Sequence, residues 1–382
     1  MKKICFVTTV SITVKAFVMP LIHYLDKNTD WELTVICDED PSLKALLPEK
    51  VRFIPITMKR GISLDGIGAM MKMIKLFRKE KFDLVQYSTP NASFYASVAA
   101  KLAGVPVRLY CQWGIAYVGF RGHKRRIFKR IEKCVCHLST QIEPDSFGNL
   151  NFSHSEKLYS DKKSCVIWNG SASGVNLEKF DIRQKDLWYK EICSRHGIAQ
   201  EDFVYGFIGR INRDKGINEL LTAFRKILQE HPQSRLLLVG HPEREELLDA
   251  TLYQWAKSEP RVIFCGFSTE VEKYVAAMDV YILPSYREGF GSAVVEAEAM
   301  GVPVIVTDIP GPRDAMIENT TGLVVKKADP ESLYEAMLRI KSDDVLRQQL
   351  GQAAYELATK KFEQTQLMRH ILEDRKRLMK MD

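Results

Sequence analysis

The sequence predicts an α/β protein made of two Rossmann-like parallel-sheet domains that face each other across a cleft. Its 382 residues are more than one hydrophobic core usually serves. Short apolar runs alternate with segments of helical spacing, which is the βαβ rhythm of a parallel sheet covered on both faces. A polar, turn-rich stretch that begins at Asn169-Gly170 interrupts this rhythm near the middle of the chain.

The first half contains the runs that we expect to form one sheet. The expected strands are 4–7, 33–37, 51–55, 84–87, 107–111, 139–142 and 165–168, with helical spacing at 67–81 and 92–103. Lys2 and Lys3 precede the first run as in a secretory signal, but Lys15 interrupts the apolar stretch and no small-residue cleavage site follows. We therefore interpret 4–7 as a buried first strand. No other stretch approaches the ~20 apolar residues of a membrane-spanning helix.

A second series of strands and helices follows the polar stretch, which we expect to be irregular to about Glu201. The expected strands are 203–208, 235–239, 262–265, 280–283, 304–307 and 322–325, and the expected helices are 216–231, 243–257 and 292–300. After Asp329-Pro330 the chain is expected to be helical to its end. The predicted domains are therefore 1–168, to which a C-terminal helix 363–382 crosses back, and 169–362.

Charge and cysteine content restrict the classes of partner and compartment. The net charge of +7 divides into +11 for residues 1–170 and −4 for the remainder. A basic domain indicates an anionic partner, either nucleic acid or membrane headgroups, and the aromatic platform and motifs of nucleic-acid-binding modules are missing. The eight cysteines show no CxxC pair and no zinc spacing, which indicates a reducing cytoplasm.

The segment 207–216 has the features of a phosphate-binding loop. Gly209 ends an expected strand and lets a ligand approach the backbone, Arg210 can bind phosphate oxygens in a fork, and Lys215 adds a point charge. The helix expected to begin near Gly216 directs amide donors toward an anion. A solvated basic loop would explain the same residues.

The segment 284–296 repeats the pattern of strand, glycine loop and helix. Glu288 lies in the loop and Glu296 about one turn into the helix, so both carboxylates can reach one ligand at the carboxyl ends of the strands. Backbone N–H groups near Gly289, Phe290 and Gly291 can donate to phosphate or sugar oxygens. Two glutamates beside a glycine loop could also be structural.

Together the two segments resemble a known enzyme family. The pattern G-R-x4-K, followed about 80 residues later by E-x7-E and by the strand entry 299–305, resembles the retaining GT-B glycosyltransferases of family 4. The similarity covers nearly all of residues 165–330, including Asn169-Gly170, Gly266-Phe267 and Asp279-Val280-Tyr281.

The resemblance implies a function and roles for four residues. It implies that Arg210 and Lys215 bind the donor pyrophosphate, Glu296 the ribose and Glu288 the transferred sugar, so the catalytic candidates are Glu288, Arg210 and Lys215. The implied reaction is retaining hexosyl transfer from a nucleoside-diphosphate sugar, with UDP-sugar favoured. We expect no metal requirement and no further cofactor, because Asp38-Glu39-Asp40 is interpreted as a solvated loop rather than a D-x-D metal motif.

The first half departs from the family pattern where the acceptor should bind. A glycine pair common after the first strand is replaced by Thr8-Thr9-Val10-Ser11, whose hydroxyls at Thr9 and Ser11 could meet a phosphate or the acceptor. A histidine common in the loop after the strand at 107–111 is missing, and Gln112 or Trp113 stands there instead. Gln112 could bond the donor sugar and Trp113 could stack on an acceptor ring, or Trp113 could be buried structurally.

The run 120–133 combines seven cations with Phe120, Ile127, Phe128 and Ile131. A basic amphipathic helix of this kind lies on anionic membranes, although it could also pack its apolar stripe on its own sheet. Similar stretches in bacterial relatives imply a polyprenyl-diphosphate-linked saccharide acceptor in capsule, exopolysaccharide or O-antigen assembly. We therefore expect a cytoplasmic protein, peripheral on the inner face of the cell membrane.

Other activities remain open or are excluded by the sequence. A dehydrogenase would need a G-x-G-x-x-G turn and a following acidic residue, and neither half has them. A sugar-nucleotide epimerase of related fold would need extra carboxylates from the first domain. A non-catalytic sugar-nucleotide binder is the remaining alternative, because the histidine is missing.

Overall fold

A computed structural model describes residues 1–58 and 64–380, without the side chains of residues 64 and 65. The chain divides into two compact units. Unit 1 comprises Met1–Ser173 and Gln364–Asp382, and unit 2 comprises Gly174–Glu363. The expected domain boundaries, after residues 168 and 362, lie near these divisions.

Unit 1 contains a six-stranded parallel sheet in the order β3-β2-β1-β4-β5-β6. Its strands are β1 (Lys3–Val7), β2 (Glu32–Cys37), β3 (Arg52–Pro55), β4 (Leu84–Tyr87), β5 (Val107–Gln112) and β6 (Gln141–Pro144). The seventh expected strand, 165–168, is wrong. An isolated bridge between Ile142 and Ser164 forms just before it, and the chain turns at its end, at Trp168 and Gly170, which both have positive φ.

Helices cover both faces of this sheet. They are α1 (Ser11–Thr13), α2 (Met19–Asn28), α3 (Pro41–Leu46), α4 (Leu64–Glu80), α5 (Pro90–Leu102), α6 (Gly122–Leu138) and α7 (Phe147–Ser155), with a π-helical segment Val14–Val18 before α2. Side chains alternate across the strands, so that Val85 and Tyr87 of β4 pack with α4, α5 and α6, whereas Leu84 packs with α2 on the other face. The near-continuous apolar runs in the sequence follow from this double burial.

Unit 2 contains a second parallel sheet, in the order β12-β11-β10-β7-β8-β9. Its strands are β7 (Phe203–Ile208), β8 (Ser234–Val239), β9 (Val262–Gly266), β10 (Val280–Leu283), β11 (Val304–Thr307) and β12 (Gly322–Val325). Its helices are α8 (Lys185–His196), α9 (Ile217–Glu230), α10 (Ala250–Ser258), α11 (Val271–Ala276), α12 (Ser292–Ala299), α13 (Pro330–Ser342) and α14 (Asp344–Lys361). All six strands expected from the sequence are present.

Two helix predictions in unit 2 are corrected. The expected helix 243–257 begins only at Ala250, because the Asp249 carboxylate accepts the Leu252 N–H at 2.8 Å and caps the helix there. The stretch expected to be irregular contains α8, which buries Ile192 and Cys193 against the core of unit 2. The apolar residues of α8 are spread around the helix rather than along one face, so the sequence shows no helical periodicity there.

The last helix, α15 (Gln364–Leu378), belongs to unit 1. Leu367 and Ile371 join the core beside α2, and the Arg375 guanidinium makes two hydrogen bonds to the Glu143 carboxylate, at 2.6 and 2.8 Å. The final two residues of the expected helix 363–382 lie outside the described residues. Among the described residues, no helix is both long and apolar enough to cross a membrane.

In each sheet the strand order reverses beside the first strand of the unit, between β1 and β4 in unit 1 and between β7 and β10 in unit 2. Open parallel sheets bind ligands in the crevice that opens at the carboxyl ends of the strands at such a reversal. Each unit therefore has one position where topology favours a site.

Candidate active site

The reversal in unit 2 brings together the two loops that the sequence singled out. Gly209 follows β7, and the loop that starts at Pro284 follows the neighbouring strand β10. Gly216, at φ 72°, packs so closely that a Cβ atom would collide with the Pro284 carbonyl oxygen. Glycine is therefore required at this position for the two loops to meet.

Polar contacts hold the two loops against each other. The Tyr286 N–H donates to the Asp214 carbonyl at 2.8 Å, and the Arg287 guanidinium lies 2.7 Å from the Asp214 carboxylate. Lys215 Nζ lies 2.5 Å from Glu288 Oε1, and their side chains are 17% and 12% exposed. The structure thus pairs two of the three predicted catalytic residues in a partly buried position at the rim of the crevice.

Arg210, the third predicted catalytic residue, lies with Lys215 on the loop 209–216, here called the cationic loop. It is more open to solvent than Lys215. Its Nη1 is 2.7 Å from Glu243 Oε2, and its side chain is 59% exposed. Asn212 shapes the loop by accepting the Lys215 N–H, which caps the turn Arg213–Lys215. The sequence did not indicate Glu243, because it follows β8 as one of several acidic residues in a polar stretch.

The helix α12 directs its N-terminus toward the same edge of the sheet. Gly291, at φ 88°, caps the helix, whose first N–H groups have no partners within the helix and favour an anion. One turn later, burial raises the pKa of the Glu296 carboxyl to about 7, opposed by nearby Lys179 and assisted by nearby Glu272. Lys179 Nζ lies 3.5 Å from Glu272, and neither residue of this pair is among the predicted site residues.

The two glutamates of the E-x7-E pattern share one neighbourhood. Burial raises the pKa of the Tyr281 phenol well above its ordinary value, and the charges of Glu288 and Glu296 raise it further. The Tyr281 hydroxyl donates to the Ile208 carbonyl at 3.3 Å, so this buried ring lies against the end of β7. Both glutamates therefore lie near the strand reversal.

Three other predicted donor-binding residues shape the loop before α12. The Phe290 side chain is buried and packs edge-to-face on Phe362, with ring centroids 5.4 Å apart, so only its backbone can serve a ligand. The Gly289 carbonyl lies under Gly311, where a Cβ atom would collide with it. Gly291 provides the helix cap. The four charged residues predicted for the donor site, Arg210, Lys215, Glu288 and Glu296, thus lie on the two loops and the helix at this strand reversal.

Comparison with known proteins identifies the family of this chain. The family described as "Glycosyl transferases group 1" matches residues 189–357, and "Glycosyl transferase 4-like" matches residues 3–146. The capsular polysaccharide biosynthesis glycosyltransferase CapM of Staphylococcus aureus is 30% identical over 362 residues, which cover 94% of this chain and 93% of that relative. The chain belongs to the family 4 glycosyltransferases.

Further relatives support the fold of this glycosyltransferase. The UDP-Gal:alpha-D-GlcNAc-diphosphoundecaprenol alpha-1,3-galactosyltransferase of Escherichia coli is 29% identical, with 84% of this chain and 82% of that relative covered. The crystal structure of Anabaena HepE in complex with UDP and glucose superposes with a TM-score of 0.81 at 20% identity, covering 99% of this chain and 100% of that chain. The transferase therefore has the GT-B fold.

In unit 1 of the transferase, two residues expected to face a ligand are occupied by internal contacts. The hydroxyl oxygens of Thr9 and Thr89 lie 2.8 Å apart, and Thr9 Oγ1 also accepts the Ala92 N–H at the start of α5. Gln112 is fully buried, and its polar atoms are satisfied there: Nε2 donates to Glu132 at 2.6 Å and Oε1 accepts from Ser153 and Tyr159. The suggested ligand roles of Thr9 and Gln112 are therefore replaced by structural ones.

Trp113 is the better placed of the two candidates that follow β5. It is half-buried, its ring centroid lies 5.6 Å from that of Phe17, and it lines a small pocket with Gln86, Glu143 and Arg375. Asp38 and Asp40 have structural partners as well. Asp38 accepts the Ser11 N–H at 2.6 Å, and Asp40 caps α3.

The basic run of the transferase forms the start of α6. Phe120 and Phe128 pack together with ring centroids 4.7 Å apart, and Lys124 lies 4.3 Å above the Phe120 ring. Ile127 is 56% exposed, whereas Ile131 is partly buried. The helix therefore packs part of its apolar stripe on unit 1 and leaves cations and an isoleucine in solvent.

Proposed function

We propose that this glycosyltransferase moves a hexosyl group, with retention, from a UDP-sugar to a polyprenyl-diphosphate-linked saccharide during bacterial polysaccharide assembly. The observation that carries the donor side is the Lys215–Glu288 pair at the strand reversal of unit 2, with Arg210 on the same loop as Lys215. It supplies cations for a diphosphate and a carboxylate for a sugar at one edge of the sheet.

Arg210 and Lys215 are proposed to stabilise the departing diphosphate. Negative charge grows on the bridging oxygen as the bond to the sugar breaks, and fixed cations stabilise that charge more in the transition state than in the ground state. The N-terminus of α12 adds backbone N–H groups with the same polarity. No metal ion is needed in this scheme, because the two side chains and the helix neutralise the leaving group.

The two glutamates are proposed to orient the donor. Glu296 accepts hydrogen bonds from the ribose hydroxyls, and Glu288 accepts them from the transferred sugar near its anomeric carbon. Lys215 holds Glu288 through their ion pair, so the sugar and the diphosphate are positioned by linked groups. In the retaining reaction the acceptor hydroxyl attacks from the side that the diphosphate leaves, and a diphosphate oxygen takes its proton.

The acceptor side rests on unit 1 and on the relatives. The E. coli relative is named for a diphosphoundecaprenol-linked acceptor. The S. aureus relative is named for capsular polysaccharide biosynthesis. The exposed cations of α6 together with Ile127 suit a surface of anionic lipid in which such an acceptor would be embedded. We place the protein on the cytoplasmic face of the membrane accordingly.

A donor panel tests the proposal. The purified protein would be incubated with UDP-, GDP- and ADP-sugars, with and without EDTA and with and without bacterial membrane lipids, and release of nucleoside diphosphate would be followed. We expect nucleoside diphosphate to be released from one UDP-sugar. EDTA should leave the rate of this release unchanged, and lipid should increase it. Loss of activity in EDTA would contradict the metal-free scheme, and nucleotide binding without release would support the non-catalytic binder.

A further inference from the structure

The segment that follows β8 brings a carboxylate onto the cationic loop. Gly240 packs against Gly209 so closely that a Cβ atom would collide with the Gly209 carbonyl. The Ile211 N–H donates to the His241 carbonyl at 2.9 Å, and the Glu243 N–H donates to the Ile211 carbonyl at 3.0 Å. Main-chain bonds therefore fix Glu243 beside Arg210 whatever its side chain does.

The Glu243 side chain is also directed at the cationic loop. Its Oε2 accepts from Arg210 Nη1 at 2.7 Å and from Asn212 Nδ2 at 3.1 Å. Asn212 is itself fixed, because its Oδ1 accepts the Lys215 N–H. One carboxylate oxygen is thus held between the Arg210 guanidinium and the residue that shapes the loop.

We propose that Glu243 is a positioning residue that competes with the nucleoside diphosphate for Arg210 and so keeps the affinity for this product low enough for release. The inference rests on the proposed function, since it takes Arg210 as a diphosphate ligand. Carboxylates and phosphates use the same guanidinium donors in the same forked geometry. A diphosphate that binds Arg210 fully must displace the Glu243 carboxylate or accept its repulsion.

The exposure of the pair suits an exchange of partners. The Arg210 side chain is 59% exposed and that of Glu243 is 32% exposed, so solvent weakens their attraction and Arg210 can leave at little cost. The Lys215–Glu288 pair, at 17% and 12%, is more firmly held. Arg210 is therefore the exchangeable cation of the site, and Lys215 is the fixed one.

Titration calorimetry with UDP, GDP and ADP tests the role of Glu243. We expect Glu243→Gln to bind the nucleoside diphosphate about tenfold more tightly than the wild type at 50 mM NaCl, because one unit of opposing charge is removed while the side chain keeps its size. At 500 mM NaCl the gain should shrink to about twofold, because salt screens exposed charges. A purely structural role of Glu243 would show no such salt dependence.

Two further variants make the test specific. Glu246→Gln removes an exposed charge three residues along the same loop and should leave the affinity within about twofold of the wild type. In an Arg210→Gln background, Glu243→Gln should gain about twofold or less, because the partner for which it competes is missing.

The outcomes separate this inference from the proposed function. Unchanged or weaker binding by Glu243→Gln, or an equal gain in the Arg210→Gln background, would overturn the competition. If the wild type binds none of the three nucleotides, the proposed donor site is wrong, and the proposed role of Glu243 is overturned as well.

Discussion

The two units have the same strand order but use its reversal differently. In unit 1 the residues that meet there are Thr9 and Thr89, two hydroxyls that bond each other and the start of α5. In unit 2 they are Lys215 and Glu288, opposite charges that are still partly exposed. Topology therefore provides a crevice in both sheets, and the side chains at the strand ends decide whether neutral hydroxyls or opposite charges meet there.

The ion pairs of the two units differ in the same way. Arg375 in unit 1 is fully buried, and its hydrogen bonds to Glu143 and Gln86 dock α15, while Asp374 beside it on the same helix accepts a further one. Arg210 in unit 2 is mostly exposed and has one carboxylate partner. Removing a buried cation leaves buried carboxylates uncompensated, whereas an exposed cation can change partners at little cost.

The largest effect should come from breaking the buried network of unit 1. Arg375→Met should lower the free energy of unfolding of unit 1 by about 3–5 kcal/mol, because the buried Glu143 loses its cation and Asp374 keeps only Arg377. Urea unfolding followed by tryptophan fluorescence measures it. Arg377→Met is the matched control, since Arg377 also contacts Asp374 but is 60% exposed, and it should cost under about 1 kcal/mol. Equal losses would show that the network of Arg375 is not what secures α15.

Removing the fixed cation of unit 2 should instead affect catalysis. Lys215→Ala is expected to lower kcat/KM about 10²–10³-fold, because the leaving diphosphate loses a fixed positive charge. Initial rates with the active donor measure this. Lys226→Ala, which removes a cation paired with Glu331 on the surface of the same unit, should retain nearly full activity. Activity of Lys215→Ala within about threefold of the wild type would contradict the assigned role.

The basic helix of unit 1 should contribute a smaller effect through the membrane. The double variant Arg126→Gln, Arg130→Gln removes two exposed cations of α6 and should weaken binding to phosphatidylglycerol vesicles about 30-fold, at about 1 kcal/mol per charge. Vesicle sedimentation measures it. Lys360→Gln with Lys361→Gln, at the end of α14, removes the same charge from unit 2. If both pairs weaken binding equally, net charge rather than α6 is responsible.

The smallest effect is a pH dependence of donor binding. The pKa of Glu296 is raised to about 7, so the carboxylate that can accept ribose hydrogen bonds forms mainly above pH 7. Affinity for the UDP-sugar should therefore rise by about tenfold at most from pH 6 to pH 8. Because the unfolded chain loses this proton near its ordinary value, the same group lowers stability as the pH rises from about 4.5 to 7. Calorimetry on Glu296→Gln should give a flat profile over this range; an unchanged slope would assign the titration to another group.

Much of the fold could be predicted because parallel strands that are buried on both faces consist of uninterrupted apolar runs in the sequence. The runs 84–87, 203–208 and 280–283 have the bounds of β4, β7 and β10. The run 165–168 is equally apolar but lies beyond the last strand of its sheet, where positive φ at Trp168 turns the chain away. An apolar run indicates burial, and it does not by itself indicate pairing.

The sequence alone determined that there is a cationic loop and an E-x7-E loop, and that each follows a strand. It could do so because the glycine, charge and helix-start signals are local. Only the tertiary structure decided which of these residues meet. Glu243 lies 33 residues from Arg210 in the chain, yet β8 is the neighbour of β7 and returns it to hydrogen-bond distance. Folding also brings internal hydrogen-bond partners to Gln112 and Thr9, two polar residues for which the sequence suggests ligand contacts. Local signals specify chemistry, whereas strand order and burial decide whether that chemistry remains available.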